Sequence, residues 1–229
     1  MKASDVMVTD VISVSPESDV QQVATILLTN HISAAPVVDA DERLVGMISE
    51  GDLLHRSEAG TAHERPWWLQ MLMSREAMAG EYLREHSRRV GDIMTREVVS
   101  AGPDTPVADI ATLLERHRIK RVPIVKNGRV VGIVSRANLI QALATFRGGT
   151  AEPHPADAEL REQVLSRLRS EPWVRPALIN ATVIGGTVDL WGVVDSETEK
   201  QALRVAVEVI PGVKAVNDSI VIRPAGAGV

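Results

Sequence analysis

Ser49 and Asp52 stand three positions apart at the end of the apolar run Gly46-Met47-Ile48, and Ser135 and Asn138 keep that spacing after Gly132-Ile133-Val134. A serine followed by an acidic side chain at this interval can cap a helix start, because hydroxyl and carboxylate satisfy amide groups that have no partner in the first turn. The same constellation can hold a ligand. Free N–H groups at a helix start attract an anion, and a carboxylate accepts hydrogen bonds from both hydroxyls of a ribose. Asn138 offers an acceptor without the charge, so the second copy is the weaker ribose anchor. Basic residues precede two proline-containing runs. His31 and Ile32 lead into Ala34-Ala35-Pro36-Val37-Val38, and His117-Arg118-Ile119-Lys120-Arg121 leads into Val122-Pro123-Ile124-Val125. Arg118 with Lys120 or Arg121 can pair a phosphate through charge-assisted bonds, or form a solvated basic cluster. The six histidines show no paired metal-ligand spacing. No serine–histidine–aspartate set sits on an elbow, and no G-x-x-x-x-G-K-[ST] or G-x-G-x-x-G occurs. We therefore expect no catalysis and no metal.

These residues belong to a duplicated stretch. Pro36 and Pro123 lie 87 positions apart, and Asp5-Val6-Met7/Asp92-Ile93-Met94, Val20/Val107, Ala24/Ala111 and Ile32/Ile119 keep the offset. It shortens by one only at Gly46/Gly132. A period held this long means a repeated module. The first copy, residues 1–56, reads β-α-β-β-α. Val11–Val14 is a short strand, and Ser18 with Gln21 caps a helix with apolar Val20, Val23, Ala24, Leu27 and Leu28. Two apolar runs then form a hairpin, and a helix starts near Ser49. The second copy, 90–147, repeats this, with Thr105-Pro106 at a helix start and Asn127-Gly128 as a tight turn. Between them, 57–89 is an inserted helical linker whose Trp67-Trp68, Met71, Met73 and Met78 pack it onto a module or meet a partner.

Gly148 to Pro155 is a flexible linker by composition. Residues 156–224 then read α-β-β-α-β and are expected to fold independently. Leu160, Val164, Leu165 and Leu168 share a helix face, Gly185-Gly186 marks a hairpin, and Ser196 with Glu199 opens a helix with Ala202, Ala206 and Val209 on one face. The chain of 229 residues is 24% charged with a net charge of −5, which argues against nonspecific nucleic-acid binding. It has no cysteine, an opening Met1-Lys2-Ala3-Ser4-Asp5 with no apolar leader, and no run of transmembrane length. A cytoplasmic protein is expected.

The Asp-Val-Met/Asp-Ile-Met openings, the segments His31–Val38 and His117–Val125, and the two Ser-x-x-Asp/Asn turns resemble a tandem pair of CBS domains. Gly186 to Val194 and Pro211 to Asn217 resemble a BON domain. The fold class is thus α/β (α+β), and the resemblance implies two CBS modules packed as a pseudo-twofold pair with two clefts. Such clefts hold AMP, ADP, ATP or S-adenosylmethionine. Asp52 and Asn138 would take ribose, and Ser49 and Ser135 would face phosphate. Ser13 and Ser100 near the first strands, with Ile32, Ala34, Pro36, Ile119 and Pro123, would bracket adenine, and His31, His117, Arg118, Lys120 and Arg121 would supply basic groups. The resemblance implies a nucleotide-responsive regulatory protein, a homodimer, whose BON domain binds a partner. The alternative is a phospholipid- or protein-binding scaffold with empty clefts. Trp191, on one strand face with Thr187 and Asp189, is either an exposed contact or covered by the CBS pair.

Overall fold

Each copy of the repeat supplies a helix and a two-stranded hairpin, and each core is closed by the opening of the other copy. The computed structural model describes residues 1–54, 76, 80, 82, 83, 86–145 and 155–223. The insertion residues Trp67, Trp68, Met71, Met73 and Met78 and the linker 148–154 lie outside these. In chain order the elements are α1 (Ala3–Val6), α2 (Val20–Thr29), β1 (Ala34–Val38), β2 (Leu44–Ser49), α3 (Glu50–Leu53), α4 (Val90–Ile93), α5 (Val107–Arg116), β3 (Arg121–Lys126), β4 (Arg129–Ser135) and α6 (Arg136–Thr145). The C-terminal domain adds α7 (Pro155–Arg169), β5 (Ile179–Ile184), β6 (Thr187–Val194), α8 (Glu197–Glu208) and β7 (Ala215–Ile222).

The chain forms two compact units with interleaved segments. One comprises residues 12–98 and 128–130, the other 1–11, 99–127 and 131–229. In the first, Val14, Val20, Val23, Leu27, Ala35, Val37 and Ile48 are buried together with Val90, Ile93 and Met94 of the second repeat's opening. In the other, Ile110, Leu114, Val122, Ile124, Val134 and Ala142 enclose Ala3, Val6 and Met7 of the first repeat's opening. The packing units therefore coincide with the repeats 1–56 and 90–147 only after their openings are exchanged.

Several local expectations shift. Asp19, not Ser18, caps α2: its carboxylate accepts from the amides of Gln21 (2.8 Å) and Gln22 (3.3 Å). Ser18 Oγ instead accepts from Ser15 N at 3.1 Å. On α2, Leu28 is 73% exposed, because the buried face runs through Val20, Val23 and Leu27. Thr105 gives up the cap to Pro106, and its hydroxyl accepts from Gly102 N. The strand expected at Val11–Val14 is reduced to one parallel bridge, Val14 to Val37. Asn127 (φ 55°) and Gly128 (φ 83°) both take the left-handed region that a two-residue hairpin turn demands.

The C-terminal domain follows the expected α-β-β-α-β order. Its sheet runs β5-β6-β7, with β5/β6 antiparallel through Gly185-Gly186 and β6/β7 parallel across α8. Leu160, Val164, Leu165 and Leu168 are all in its core. On α8 the buried residues are Leu203, Ala206 and Val207, whereas Val209, expected inside, lies at the C-cap and is 68% exposed. Ser196 Oγ accepts from Glu199 N as expected of a cap, and the Glu199 carboxylate accepts from Asp195 N, one residue earlier than a capping box would place it. The domain packs on α6 of the second repeat and on the opening of the first. Asn180 Nδ2 donates to Val6 O at 2.8 Å, and the buried hydroxyls of Thr145 and Thr182 are 3.1 Å apart.

Candidate functional site

The strand β1 and the turn after β2 meet because the β1/β2 register places Ala34 opposite Ser49 and Pro36 opposite Met47. The amide of Glu50, first in α3, donates to Ser33 O at 3.0 Å, which holds the segment His31–Ala34 against the Ser49 turn. Val14 bonds both ways across Pro36 and Val38, at 3.0 and 2.9 Å, so exposed Ser13 borders the same strand. Ser13, His31, Ile32, Ala34, Pro36, Ser49 and Asp52 thus gather in one unit.

The other unit repeats the plan. Arg136 N donates to Lys120 O at 3.2 Å, and Ala101 bonds both ways across Pro123 and Val125, beside exposed Ser100. Ile119, Lys120, Arg121, Pro123, Ser135 and Asn138 are drawn together by these bonds. His117 and Arg118 end α5 on the same approach, and both are exposed.

The two turns differ in what they leave over. Asp52 Oδ2 accepts from Ser49 N and from Ser49 Oγ, each at 2.8 Å. Asp52 Oδ1 makes no hydrogen bond among the described residues, and the side chain is half-buried. Asn138 Oδ1 accepts from Ser135 N (2.8 Å) and Ser135 Oγ (2.7 Å), and its Nδ2 donates to Gln141 Oε1 at 3.2 Å. Asn138 is only 5% exposed. One carboxylate oxygen of Asp52 therefore remains for a donor, whereas the Asn138 oxygen is taken twice and its amide nitrogen already gives one N–H to Gln141.

His31 (φ 51°) and Arg118 (φ 53°) occupy one left-handed position just past α2 and α5. The following amides of Ile32 and Ile119 reach back to Leu27 O and Leu114 O, each at 3.0 Å, a helix-ending turn in which glycine is usual. A side chain with a charge or a proton to give stands there at a backbone cost of about 1 kcal/mol. Lys120 is exposed, and Arg121 is half-buried at the start of β3.

Sequence patterning did not single out Arg161 and Asn180, which face the segment entering the second unit. Arg161 is buried on the α7 stripe between Leu160 and Leu165, and burial pushes its guanidinium down to about 10. An arginine spaced four and seven positions from buried Leu165 and Leu168 was the available signal. Trp191 lies on the sheet face of Asn180 and Thr182, half-buried, and its indole N–H is buried with no acceptor among the described residues. No group of three or more His, Cys, Asp or Glu among the described residues could hold a metal. No described helix is long and apolar enough to cross a membrane.

Comparison with known proteins places these elements in context. The CBS domain pattern matches residues 3–59 and 90–145, and the BON domain pattern matches 156–224. The uncharacterized protein MJ1426 of Methanocaldococcus jannaschii is 34% identical over 154 residues, spanning 62% of this chain and 91% of that protein. The CBS domain-containing protein YhcV of Bacillus subtilis is 29% identical over 148 residues, 64% of this chain and 89% of its own. An inosine-5'-monophosphate dehydrogenase of M. jannaschii is 28% identical over 141 residues, but these make up 23% of that enzyme. Among solved structures, CBSX2 of Arabidopsis thaliana in complex with AMP superposes with a TM-score of 0.56 at 24% identity, covering 64% of this chain and 98% of that one. That likeness extends to the fold.

Proposed function

Because the chain belongs to the CBS-domain family and carries a BON domain behind its two CBS repeats, we propose that it is a non-enzymatic regulatory protein whose CBS pair binds an adenosine-type ligand. AMP, ADP, ATP and S-adenosylmethionine are the candidates. The observation that carries the reading is the free Oδ1 of Asp52, half-exposed beside the exposed His31 segment. A ribose hydroxyl can donate to that oxygen without dismantling the Ser49 turn. Arg118 and Lys120 serve phosphate in the second half. AMP, held by the structural neighbour CBSX2, is the first probe.

Binding adds stability by mass action. At about 100 times its dissociation constant a ligand contributes roughly 2.7 kcal/mol. For a chain of this size that is a rise in Tm of about 5–11 °C. A thermal-shift screen with the four compounds measures it, and four flat responses would sink the sensor reading.

A ligand can do regulatory work only through a difference in affinity between two conformations. The BON domain is the element we assign to pass that difference to a partner. Exposed apolar side chains also support a homodimer: Leu28 and Leu54 in one unit, Ile140 and Leu143 in the other. Leu143→Glu should turn a dimer into a monomer in light scattering, and an unchanged mass would remove that face from consideration. A second reading, a phospholipid- or protein-binding scaffold, is favoured by exposed Val205 and Val209, four residues apart at the end of α8. Co-sedimentation with anionic liposomes, lost in Val205→Asp, would support it.

A further inference from the structure

The segment Ser4–Asp10 is held from two sides within one unit. On one side stands the C-terminal domain. Arg161 donates from Nε to Ala181 O (2.7 Å), from Nη1 to Ser4 O (3.0 Å), and from Nη2 to Met7 O (2.6 Å) and Asn180 Oδ1 (3.0 Å). Asn180 Nδ2 takes Val6 O. Two turns along α7, Arg169 reaches Thr9 Oγ1 at 3.3 Å and Asp10 Oδ2 at 3.5 Å. On the other side stands β4. Val8 and Ile133 exchange both backbone hydrogen bonds, at 3.0 and 2.9 Å, two residues before Ser135. A Cβ on Gly132 would overlap the Met7 side chain, so Met7 lies directly on the strand.

The Arg161 site is unusual in its chemistry. A buried guanidinium has four acceptors and all are neutral, three of them backbone carbonyls. Taking that charge from water is costly, and only a complete set of bonds offsets it. A partly undocked arrangement would leave carbonyls or the cation unpaired, so docking is all-or-none. Val6 and Met7 stay anchored in the core of the unit, and docking fixes the outward carbonyls of Ser4, Val6 and Met7.

We propose that docking of the C-terminal domain on this strap, with Arg161 as its positioning residue, sets the ligand affinity of the Ser135–Asn138 turn, and that ligand binding there tightens the docking in return. The inference rests on the adenosine-ligand reading above. The route is short: Arg161 fixes Met7 O, Val8 fixes Ile133, and β4 runs directly into Ser135. A strap already held leaves less ordering for the ligand to impose, which gives positive coupling. Coupling of equilibria is reciprocal by necessity.

The absence of cysteine allows a clean test. Thr145→Cys with Thr182→Cys places the sole thiols where the hydroxyls stand 3.1 Å apart, so oxidation locks α6 to β5. Titration calorimetry with AMP is run on the full chain, carrying Asp52→Ala throughout so that the Ser135 half is read. Arg161→Ala should weaken AMP binding by about fivefold or more, the lower end of ordinary coupling. In the same background the oxidised cysteine pair should restore the affinity, and reduction should abolish the restoration. Should Arg161→Ala fail to fold, Arg161→Lys replaces it: one nitrogen cannot span four acceptors, and a smaller loss with the same redox-dependent rescue is expected. Equal affinity with and without Arg161, or a loss that the disulfide does not repair, overturns the coupling alone. If AMP, ATP and S-adenosylmethionine all fail to bind even the unaltered chain, the nucleotide reading falls and takes the coupling with it.

Discussion

At the Ser49 turn a charged side chain spends one oxygen on its own backbone and keeps the other. At the Ser135 turn a neutral one commits its oxygen to Ser135 and one N–H to Gln141, and it is more deeply buried. The segments feeding the two halves differ in the same direction. Thr95 exchanges both backbone bonds with Met47, each at 2.9 Å, as Val8 does with Ile133, but Arg96 beside it bonds Gly91 O in its own turn. The strap at Val8 is gripped by buried Arg161. The two copies thus differ: one keeps a carboxylate oxygen unengaged among the described residues, and the other is built around a neighbouring domain. The same local motif, Ser-x-x-acceptor, keeps one acceptor oxygen unspent in one place and commits its oxygen fully in the other.

The largest effect that would sharpen this contrast is at the two arginines. Arg161→Met removes the side-chain donor from the carbonyls of Ala181, Met7 and Ser4, while Asn180 Oδ1 keeps the Ala181 amide, at about 1–3 kcal/mol for each carbonyl that water cannot reach. A loss of roughly 3 kcal/mol or more in urea unfolding is expected, against a change within about 0.5 kcal/mol for Arg96→Met, whose hydrogen bond is exposed. Comparable losses would erase the asymmetry.

The glycines beneath the straps come next. An added Cβ at Gly132 or at Gly46 meets a methionine side chain, Met7 or Met94. Overpacking of this kind costs about 1–3 kcal/mol. At Gly132 the intruding carbon also lies 3.1 Å from Met7 Cβ, on a strap that Arg161 holds still, and at Gly46 it lies 3.1 Å from the backbone oxygen of Thr95. Both Gly132→Ala and Gly46→Ala should therefore lower Tm, with the larger loss at Gly132, where Arg161 keeps the strap from yielding.

Ligand binding offers the next test. Hydrogen bonds to a charged group contribute about 1.5–3 kcal/mol, against roughly 0.5–1.5 for neutral ones. Asp52→Ala should weaken adenosine binding about tenfold more than Asn138→Ala. Calorimetry decides it, and equal losses would reduce Asp52 to a helix-start residue.

The smallest effect concerns the left-handed residues. His31→Gly and Arg118→Gly relieve backbone strain but add freedom to the unfolded chain, and the two nearly cancel. Stability should change by no more than about 0.5 kcal/mol, while Arg118→Gly lowers affinity for ATP more than for adenosine. A parallel drop for both ligands would show that Arg118 acts on the fold and not on phosphate.

Periodicity and turn chemistry made much of this molecule legible. Gly185-Gly186 and Asn127-Gly128 named their hairpins because few residues accept positive φ at two successive positions. Leu160, Val164, Leu165 and Leu168 named the buried face of α7. The doubled Ser-x-x-Asp/Asn named the turns, and the strands it follows brought His31 and Lys120 alongside. What could not be read was which opening enters which core. Asp5-Val6-Met7 and Asp92-Ile93-Met94 are so alike that apolar pattern fits either to either. The freedom of Asp52 Oδ1 was equally hidden, since spacing fixes where a carboxylate stands and says nothing of how many of its lone pairs are taken. Arg161 escaped because a charged residue on an apolar stripe is read as the edge of the stripe until the carbonyls that receive it are seen.

The exchanged openings carry an implication for ancestry. A lone repeat of this kind would lack the wedge that fills its own core, Ala3, Val6 and Met7 in one case and Val90, Ile93 and Met94 in the other. It would complete itself only by trading that wedge with an identical molecule, which is domain swapping. Joining two such copies in one chain replaces a concentration-dependent encounter with a tethered one. Fusion of the two copies would thus have preserved a swapped dimer within a single chain, and afterwards left each half free to diverge, since a substitution in one wedge no longer had to be repeated in the other.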